Sequence, residues 1–417
     1  MTKAINHDTM RSENVRLVLQ CIQDHGPVSR KEIKNLTGLS WGSVSFISNS
    51  LLEKGLIVET QRSICGKGRN PGNLVISKDY YRIVSVDINR SGLTTVSIDL
   101  QNSVVDQFTE PVRIFERDAV LEQIYALLDR MFARENEQKH KILGLAVSMQ
   151  GSVDTKNGIS LYNPYFSGWS DVPLGQLLTE RYGCDVIVEH TTECATFYEM
   201  KFGIARGIDN FVYVQIGQSL GISTVHNGEF LRGFNGNAGE LGHVIVDPEG
   251  DVCSCGKRGC LETVATEKSM IAHVTAKILA DEHETPYTAA ARAGELTMDH
   301  IYRAFYQGYS PVCVEVEKTT VYLAHALATV INIVNPEVVV LGGDMVRYES
   351  MFTEELRRQV QKQTWIRSPS TILCSTSHEK TAAIGAAMLM LDQVLSGDWI
   401  SLREVPEAPE EENGWEP

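Results

Sequence analysis

The sequence predicts an α/β protein in two parts, an N-terminal winged helix-turn-helix over residues 1–79 followed by a large α/β body. Three observations carry that prediction. Two capped helices joined by a short turn precede a pair of strands; strands alternate with long amphipathic helices from Tyr81 onward; and one histidine with three cysteines forms a metal-loop pattern past the middle of the 417 residues.

In residues 14–25, Val15, Val18, Leu19 and Ile22 share one helical face, and Gly26-Pro27 stops the helix. Ser29 then caps a short helix over residues 30–37 with Glu32 at the capping-box position. Gly38 ends that helix, and Ser40 opens another that runs to about Lys54. Val44, Ile47 and Leu51 make a buried stripe on this later helix. Ser40, Trp41, Ser43, Ser45, Ser48 and Asn49 are left for other faces, where they could enter a major groove.

Residues 55–60 and 72–77 read as two strands around a loop, 61–71, with the form of a wing. Its Arg62, Lys67 and Arg69 suit a phosphate backbone or a minor groove. A helical module for protein contact is the alternative, and caps, turn, wing and charge together favour DNA. No Arg or Lys precedes Lys54 in the recognition helix, so a bidentate guanine contact must come from elsewhere.

Net charge, −15 overall, divides unevenly. Residues 1–79 carry 11 Lys+Arg against 7 Asp+Glu, and the rest carries 27 against 46. Phosphate attraction acts locally, so a mildly basic module can bind DNA while an acidic body repels indiscriminate contact. With 43% hydrophobic and 22% charged residues the composition is that of a soluble protein, and global disorder is excluded. No apolar run is long enough to span a bilayer and the first residues lack a signal-peptide core, so a cytoplasmic protein with reduced thiols is expected. The last residues, 404–417, hold three prolines and six glutamates and read as a solvated acidic tail.

In the body, residues 82–88 and 93–100 look like paired strands, 118–136 an amphipathic helix and 141–148 an apolar strand. Further strands are expected at 185–189, 211–216, 338–342 and 371–374, with 267–335 mostly helical. Two sheet-bearing halves with a cleft between them fit this length. His243, Cys253, Cys255 and Cys260 make a closed set of one imidazole and three thiolates, suited to one structural, tetrahedral zinc with no position open for a catalytic water. Gly256 and Gly259 let the chain fold around an ion, and Glu240 and Glu262 stand beside the loop as carboxylates of a small-molecule site.

The block Gly236-Asn237-Ala238-Gly239-Glu240-Leu241-Gly242-His243, joined to residues 253–262, resembles the signature of the ROK family of bacterial sugar kinases and sugar-responsive repressors. Residues 335–343 (Asn-Pro-Glu-Val-Val-Val-Leu-Gly-Gly) and Ala383-Ile384-Gly385-Ala386-Ala387 extend the likeness over nearly the whole chain. The opening winged helix is similar to the repressor branch. The resemblance implies an actin-like, hexokinase-like pair of lobes, here 80–200 and 201–400 with 401–417 as tail, and a sugar in the cleft beside the zinc loop.

Family kinases also carry Asp-x-Gly-Gly-Thr and Gly-Thr-Gly-x-Gly phosphate loops and an Asp base in Glu-Asn-Asp-Ala-Asn. The matching stretches here are Asp87-Ile88-Asn89-Arg90-Ser91, Gly217-Gln218-Ser219-Leu220-Gly221 and Glu189-His190-Thr191-Thr192-Glu193. Glycines that would bare the backbone to phosphate are gone, and Thr191 is too weak a base to take a hydroxyl proton. The expectation is a catalytically inactive effector body. Glu240, His243 and Glu262 would hold the ligand, with His190 and Thr191 altering specificity. The chain then reads as a sugar-responsive repressor that binds double-stranded operator DNA as a homodimer or higher oligomer. Its rivals are a residual kinase, a repressor controlled by a protein partner and a zinc-dependent scaffold.

Overall fold

The computed structural model describes residues 7–60, 72–281, 283–366, 370–377 and 380–395. Helices α1 (His7–His25), α2 (Arg30–Thr37) and α3 (Trp41–Glu53) open the chain, and strands β1 (Ile57–Thr60) and β2 (Asn73–Ile76) pair antiparallel, with Ile57 opposite Ile76. The caps lie where the sequence puts them. Ser29 accepts from the Glu32 N–H while the Glu32 carboxylate accepts from the Ser29 N–H, Gly38 ends α2 in the left-handed conformation, and Ser40 caps α3. The first helix begins seven residues before the expected Asn14. Arg62, Lys67 and Arg69 of the wing loop and the acidic tail lie outside the described residues.

Ser48 corrects the reading of α3. It is fully buried, not groove-facing, because 44, 47, 48 and 51 follow the i, i+3, i+4, i+7 spacing of one helical face. A single core joins this module to the body: Val18, Leu19, Val44 and Leu51 belong to the same buried cluster as Tyr81, Ile83 and Leu391. The Tyr81 hydroxyl donates to the Lys54 carbonyl at 2.7 Å.

The body consists of two five-stranded sheets of the same topology. In the first, β3 (Tyr81–Ile88), β4 (Leu93–Ile98), β5 (Val104–Glu110), β6 (Lys141–Met149) and β10 (Asp185–His190) take the order β10-β6-β3-β4-β5, with α4 (Arg117–Glu137) leading into β6. Between β6 and β10 stand β7 (Ser152–Asp154), β8 (Ile159–Tyr162) and β9 (Ser170–Val172), which form a small sheet of their own, and α5 (Leu174–Tyr182). Helix α6 (Thr191–Lys201) follows β10 without a loop.

In the second lobe, β11 (Phe211–Ile216), β12 (Leu220–His226) and β13 (Glu229–Phe230) precede the metal loop. Helices α7 (Glu262–Ala265), α8 (Glu267–Ala280), α9 (Thr288–Ala293), α10 (Met298–Tyr306) and α11 (Ser310–Val334) come next, then β14 (Val338–Gly342), α12 (Thr353–Gln363), β15 (Thr371–Cys374) and α13 (Thr381–Leu395). The order is β13-β12-β11-β14-β15, with β11, β14 and β15 parallel as β3, β6 and β10 are in the first sheet. In each half a hairpin pair lies beside three parallel strands. Sharing one topology, the halves face each other across a cleft.

The last helix returns to the first lobe. α13 packs on α6, β3, β4 and β6, and a Cβ on Gly385 would run into the Cys194 carbonyl of α6, so the two helices meet backbone to backbone. α6 in turn sends Ala195 into a cluster with Phe211 and Val340 of the second sheet. These two helices are the crossing between lobes. The eight described cysteines form no disulfide, and no described helix is long and apolar enough to cross a membrane.

Candidate functional site

The metal loop is built on turns. A short 3-10 turn, Leu241–His243, aims the imidazole inward, and the loop returns through bridges between Ile245 and Cys260 and between Val252 and Arg258. Gly259 sits at φ 75° with its α-carbon against the Asp247 carbonyl, a place no side chain could occupy. The ligand atoms of His243, Cys253, Cys255 and Cys260 lie within 4.8 Å of one another. His243 Nδ1 is 3.6 Å from Cys253 Sγ, and Cys255 and Cys260 place their sulfurs 3.7 Å apart. Tetrahedral zinc, with Zn–S near 2.3 Å and Zn–N near 2.0 Å, separates its ligands by roughly 3.5–3.8 Å, so the four residues fit that ion. Zinc held there would fix the loop. His243 Nε2 turns the other way, 3.9 Å from Glu240 Oε2.

Between the lobes lies a cavity of about 470 Å³, within the usual size range of small-molecule sites. Glu240, His243, Glu262, His190 and Thr191 all line it. Glu240 is exposed at one rim. Glu262 is half-buried, its Oε1 accepting from the Leu220 N–H at 3.2 Å; burial pushes its carboxyl up, and the His243 ring pulls it back. Ser152 of the first lobe donates to Asn237 of the second at 2.8 Å.

Glu193 lines the cavity from α6 as well. Its Oε2 accepts from Arg232 Nε at 2.9 Å, and Arg232 also lies 3.8 Å from Glu189. This ion pair ties the second lobe to the first and makes Glu193 an acceptor already engaged. Glu189, half-buried beside Glu193, is pushed up to about 8 by desolvation and then by its neighbour's charge, against the pull of Arg232. His190 Nε2 is buried with no protein partner. Nothing in the local sequence pattern marks Arg232, because its partners are some 40 residues away.

At the other end of the cleft the loop after β3 is filled from within. Asn89 Oδ1 accepts from the Ser91 N–H at 2.9 Å, the Ser91 hydroxyl at 2.7 Å and the Gly92 N–H at 3.0 Å. These N–H groups are thus already satisfied by a side-chain oxygen of their own loop, whereas a phosphate-binding loop leaves such groups free for its ligand. The Gly217 N–H likewise donates to the Ser219 carbonyl at 3.1 Å. Asp87 accepts from Ser148 and from Asn89; burial pushes its carboxyl up and those hydrogen bonds pull it back. Thr191 Oγ1 is 3.2 Å from Ser148 Oγ. The space left beside Asp87 and Asp344 is about 130 Å³.

On α3, Trp41, Ser40 and Asn49 are exposed, and Ser43 and Ser45 are half-buried. Ser43 Oγ is 2.9 Å from the capping Ser40 Oγ, and Asn49 Oδ1 accepts from Arg30 at 3.2 Å. These side chains share the helix that a winged helix presents to a groove.

The ROK family model matches residues 84–393. Over 398 residues the chain is 27% identical to the xylose repressor of Caldicellulosiruptor bescii, covering 94% of this chain and 98% of that one. The crystal structure of a ROK family transcriptional regulator, a homologue of the Escherichia coli Mlc protein, matches with TM-score 0.82 and 27% identity over 94% of this chain and 98% of its own. A ROK family glucokinase from Streptomyces griseus, solved with glucose and AMPPNP, has TM-score 0.64 at 22% identity. It is covered to 98% but spans only 74% of this chain, a likeness of fold alone.

Proposed function

The chain belongs to the ROK family, and we propose that it is a DNA-binding transcriptional repressor whose kinase-like body senses a sugar without phosphorylating it. The Asn89 carboxamide carries this reading: it occupies the N–H groups that a transferred phosphate needs, while the cavity beside Glu240 and Glu262 stays open. A body that holds a ligand but has lost the transfer step must report binding elsewhere. The module over residues 7–76, sharing a core with the first lobe, is the part that can report it. The xylose repressor and the Mlc-like regulator match 94% of this chain, and the kinase structure matches 74% of it.

In this reading Glu240 and Glu262 accept sugar hydroxyls, His243 Nε2 adds a polar contact while Nδ1 holds zinc, and His190 and Thr191 shape the far side. Ser40, Trp41, Ser43, Ser45 and Asn49 enter the major groove, with Arg69 of the wing on the backbone or minor groove. One winged helix reads few base pairs, so a homodimer on a palindrome is expected. A sugar that binds the closed cleft more tightly than the open one shifts lobe closure and thereby the spacing of the paired modules.

The test is binding to the DNA upstream of the chain's own gene, measured against salt and a sugar panel, beside an ATP-coupled assay. Affinity should fall steeply with salt, drop with Trp41→Ala plus Asn49→Ala, and fall again when the cognate sugar is added. A flat salt dependence would remove the DNA assignment, and sugar-dependent ATP turnover lost in Glu240→Ala would make the chain a kinase.

A further inference from the structure

Beside the sugar-sized cavity lies a second one of about 450 Å³, also walled by both lobes. Pro164, Tyr165, Ser254 and Glu262 line both, so the two spaces adjoin across the Tyr165 ring and the Glu262 carboxylate. The first cavity alone has the volume of a small-molecule site. A single sugar unit has no use for the second.

The lining of that second space has the chemistry of a saccharide subsite. Phe115 stacks on Phe166, centroids 6.4 Å apart at 27°, is still 41% exposed and lines the cavity. The Tyr165 ring carries the Arg90 guanidinium 5.7 Å from its centroid. Aromatic faces accept the apolar C–H face of a pyranose, and short polar groups such as Thr263 and Ser269 around them suit its hydroxyls. Of the acids, Asp251 is hydrogen-bonded to His273 at 2.7 Å, and Glu262, with one oxygen on the Leu220 N–H, faces both spaces. Arg90 and Lys268 are exposed donors with no ion-pair partner among the described residues. A neutral, hydroxyl-rich ring fits better than a fatty chain, which would desolvate these groups.

We propose that the effector is a glycoside of at least two sugar units. One unit lies against Glu240 and Glu262, the next stacks on Phe115 and Tyr165, and the linkage passes Glu262. This rests on the sugar-sensing reading above and names its ligand class. An effector of this kind is released by hydrolysis of a longer saccharide, and a reaction that cleaves its glycosidic bond must remove it.

The experiment is titration calorimetry on the full-length, zinc-loaded protein. The probes are glucose, xylose and N-acetylglucosamine, the β-1,4-linked dimer of each, maltose as an α-linked dimer, and glucose 1-phosphate. In one series the dimer should bind at least ten-fold more tightly than its monomer. Phe115→Ala should abolish that gain and leave monomer affinity within about two-fold, and Arg90→Ala, an exposed change that spares folding, should reduce the gain several-fold. Equal or weaker binding of every dimer overturns the proposal, as does a Phe115→Ala loss shared by monomer and dimer. A preference for glucose 1-phosphate over all dimers overturns it in favour of an anion subsite. If monomers bind and dimers gain nothing, only this inference falls; if no probe binds, the sugar-sensing reading falls with it.

Discussion

The two ends of the interlobe cleft differ in what their polar groups are doing. At the zinc-loop end, Glu240 is exposed at the rim, 3.9 Å from His243, and Glu262 has one oxygen on the Leu220 N–H and the other only at 4.0 Å from the sulfur of Cys253, a candidate zinc ligand. At the phosphate-loop end Asn89, Ser91, Gly92, Asp87 and Ser148 are hydrogen-bonded to one another. Binding a polar ligand needs donors and acceptors that are aimed and uncommitted, because a group already satisfied gains nothing by exchanging its partner. In the proposed reading, the same fold therefore keeps a ligand site at one end and has given one up at the other. Residue types alone would not separate the two, since both ends contain carboxylates, serines and glycines.

The largest effect that could break this contrast comes from the metal. Removing zinc by chelation, or replacing Cys260 by Ser, should cost several kcal/mol of second-lobe stability and lower sugar affinity by more than about 100-fold, because the loop carrying His243 and flanking Glu262 loses its anchor. Metal analysis and thermal melting read this directly. Fewer than about one zinc per chain in fresh protein, or a melting curve indifferent to chelator, would mean the loop stands without the ion. The winged helix shares its core with the first lobe, so its own DNA contacts should suffer less.

A smaller effect sharpens the contrast. Glu262→Gln or Glu240→Gln should weaken sugar binding by about ten-fold, because exchanging a charge-assisted hydrogen bond for a neutral one forfeits about 1–1.5 kcal/mol, and leave sugar-free DNA affinity unchanged. At the other end, Asn89→Gly alone should leave sugar affinity within a few-fold, and Asn89→Gly combined with Thr191→Asp should still give no ATP turnover, because the loop at 217–219 remains closed on itself through the Gly217–Ser219 bond. Turnover from that pair of changes would show the phosphate end to be only lightly blocked.

Local signals explain which parts of this were legible in the sequence. The Ser29 capping box, the Gly38 stop and the Ser40 cap act within three or four residues, and the metal loop closes within eighteen, so spacing alone placed them. Ser48 was misread because a serine between Ile47 and Leu51 looks like surface until the full helical face is counted. The small sheet β7–β9, the return of α13 to the first lobe and the Arg232–Glu193 pair depend on contacts between segments far apart in the chain, to which periodicity is blind. Asn89 lay in between. The absence of glycine was visible, but that its side chain would satisfy the N–H groups of the loop required the fold of the turn.

The smallest expected effect is a pH slope at the boundary between the two ends. Glu189 sits behind His190 and Thr191, with its carboxyl raised to about 8 by burial and by Glu193, and Arg232 reaches it from the opposite lobe. A carboxyl that binds its proton more tightly when folded contributes stability that is complete below the unfolded value near 4.5 and is lost as pH rises through about 8. The wild-type protein should therefore lose stability relative to Glu189→Gln across that window, and the two should run parallel above it. If bound sugar draws Arg232 away from the pair, the loss extends to higher pH, because a carboxylate without its cation is harder to bury and keeps its proton longer. If sugar leaves the slope unchanged, the Arg232 contact is indifferent to the ligand, and lobe closure must be communicated through the α6–α13 crossing at Cys194 and Gly385 instead.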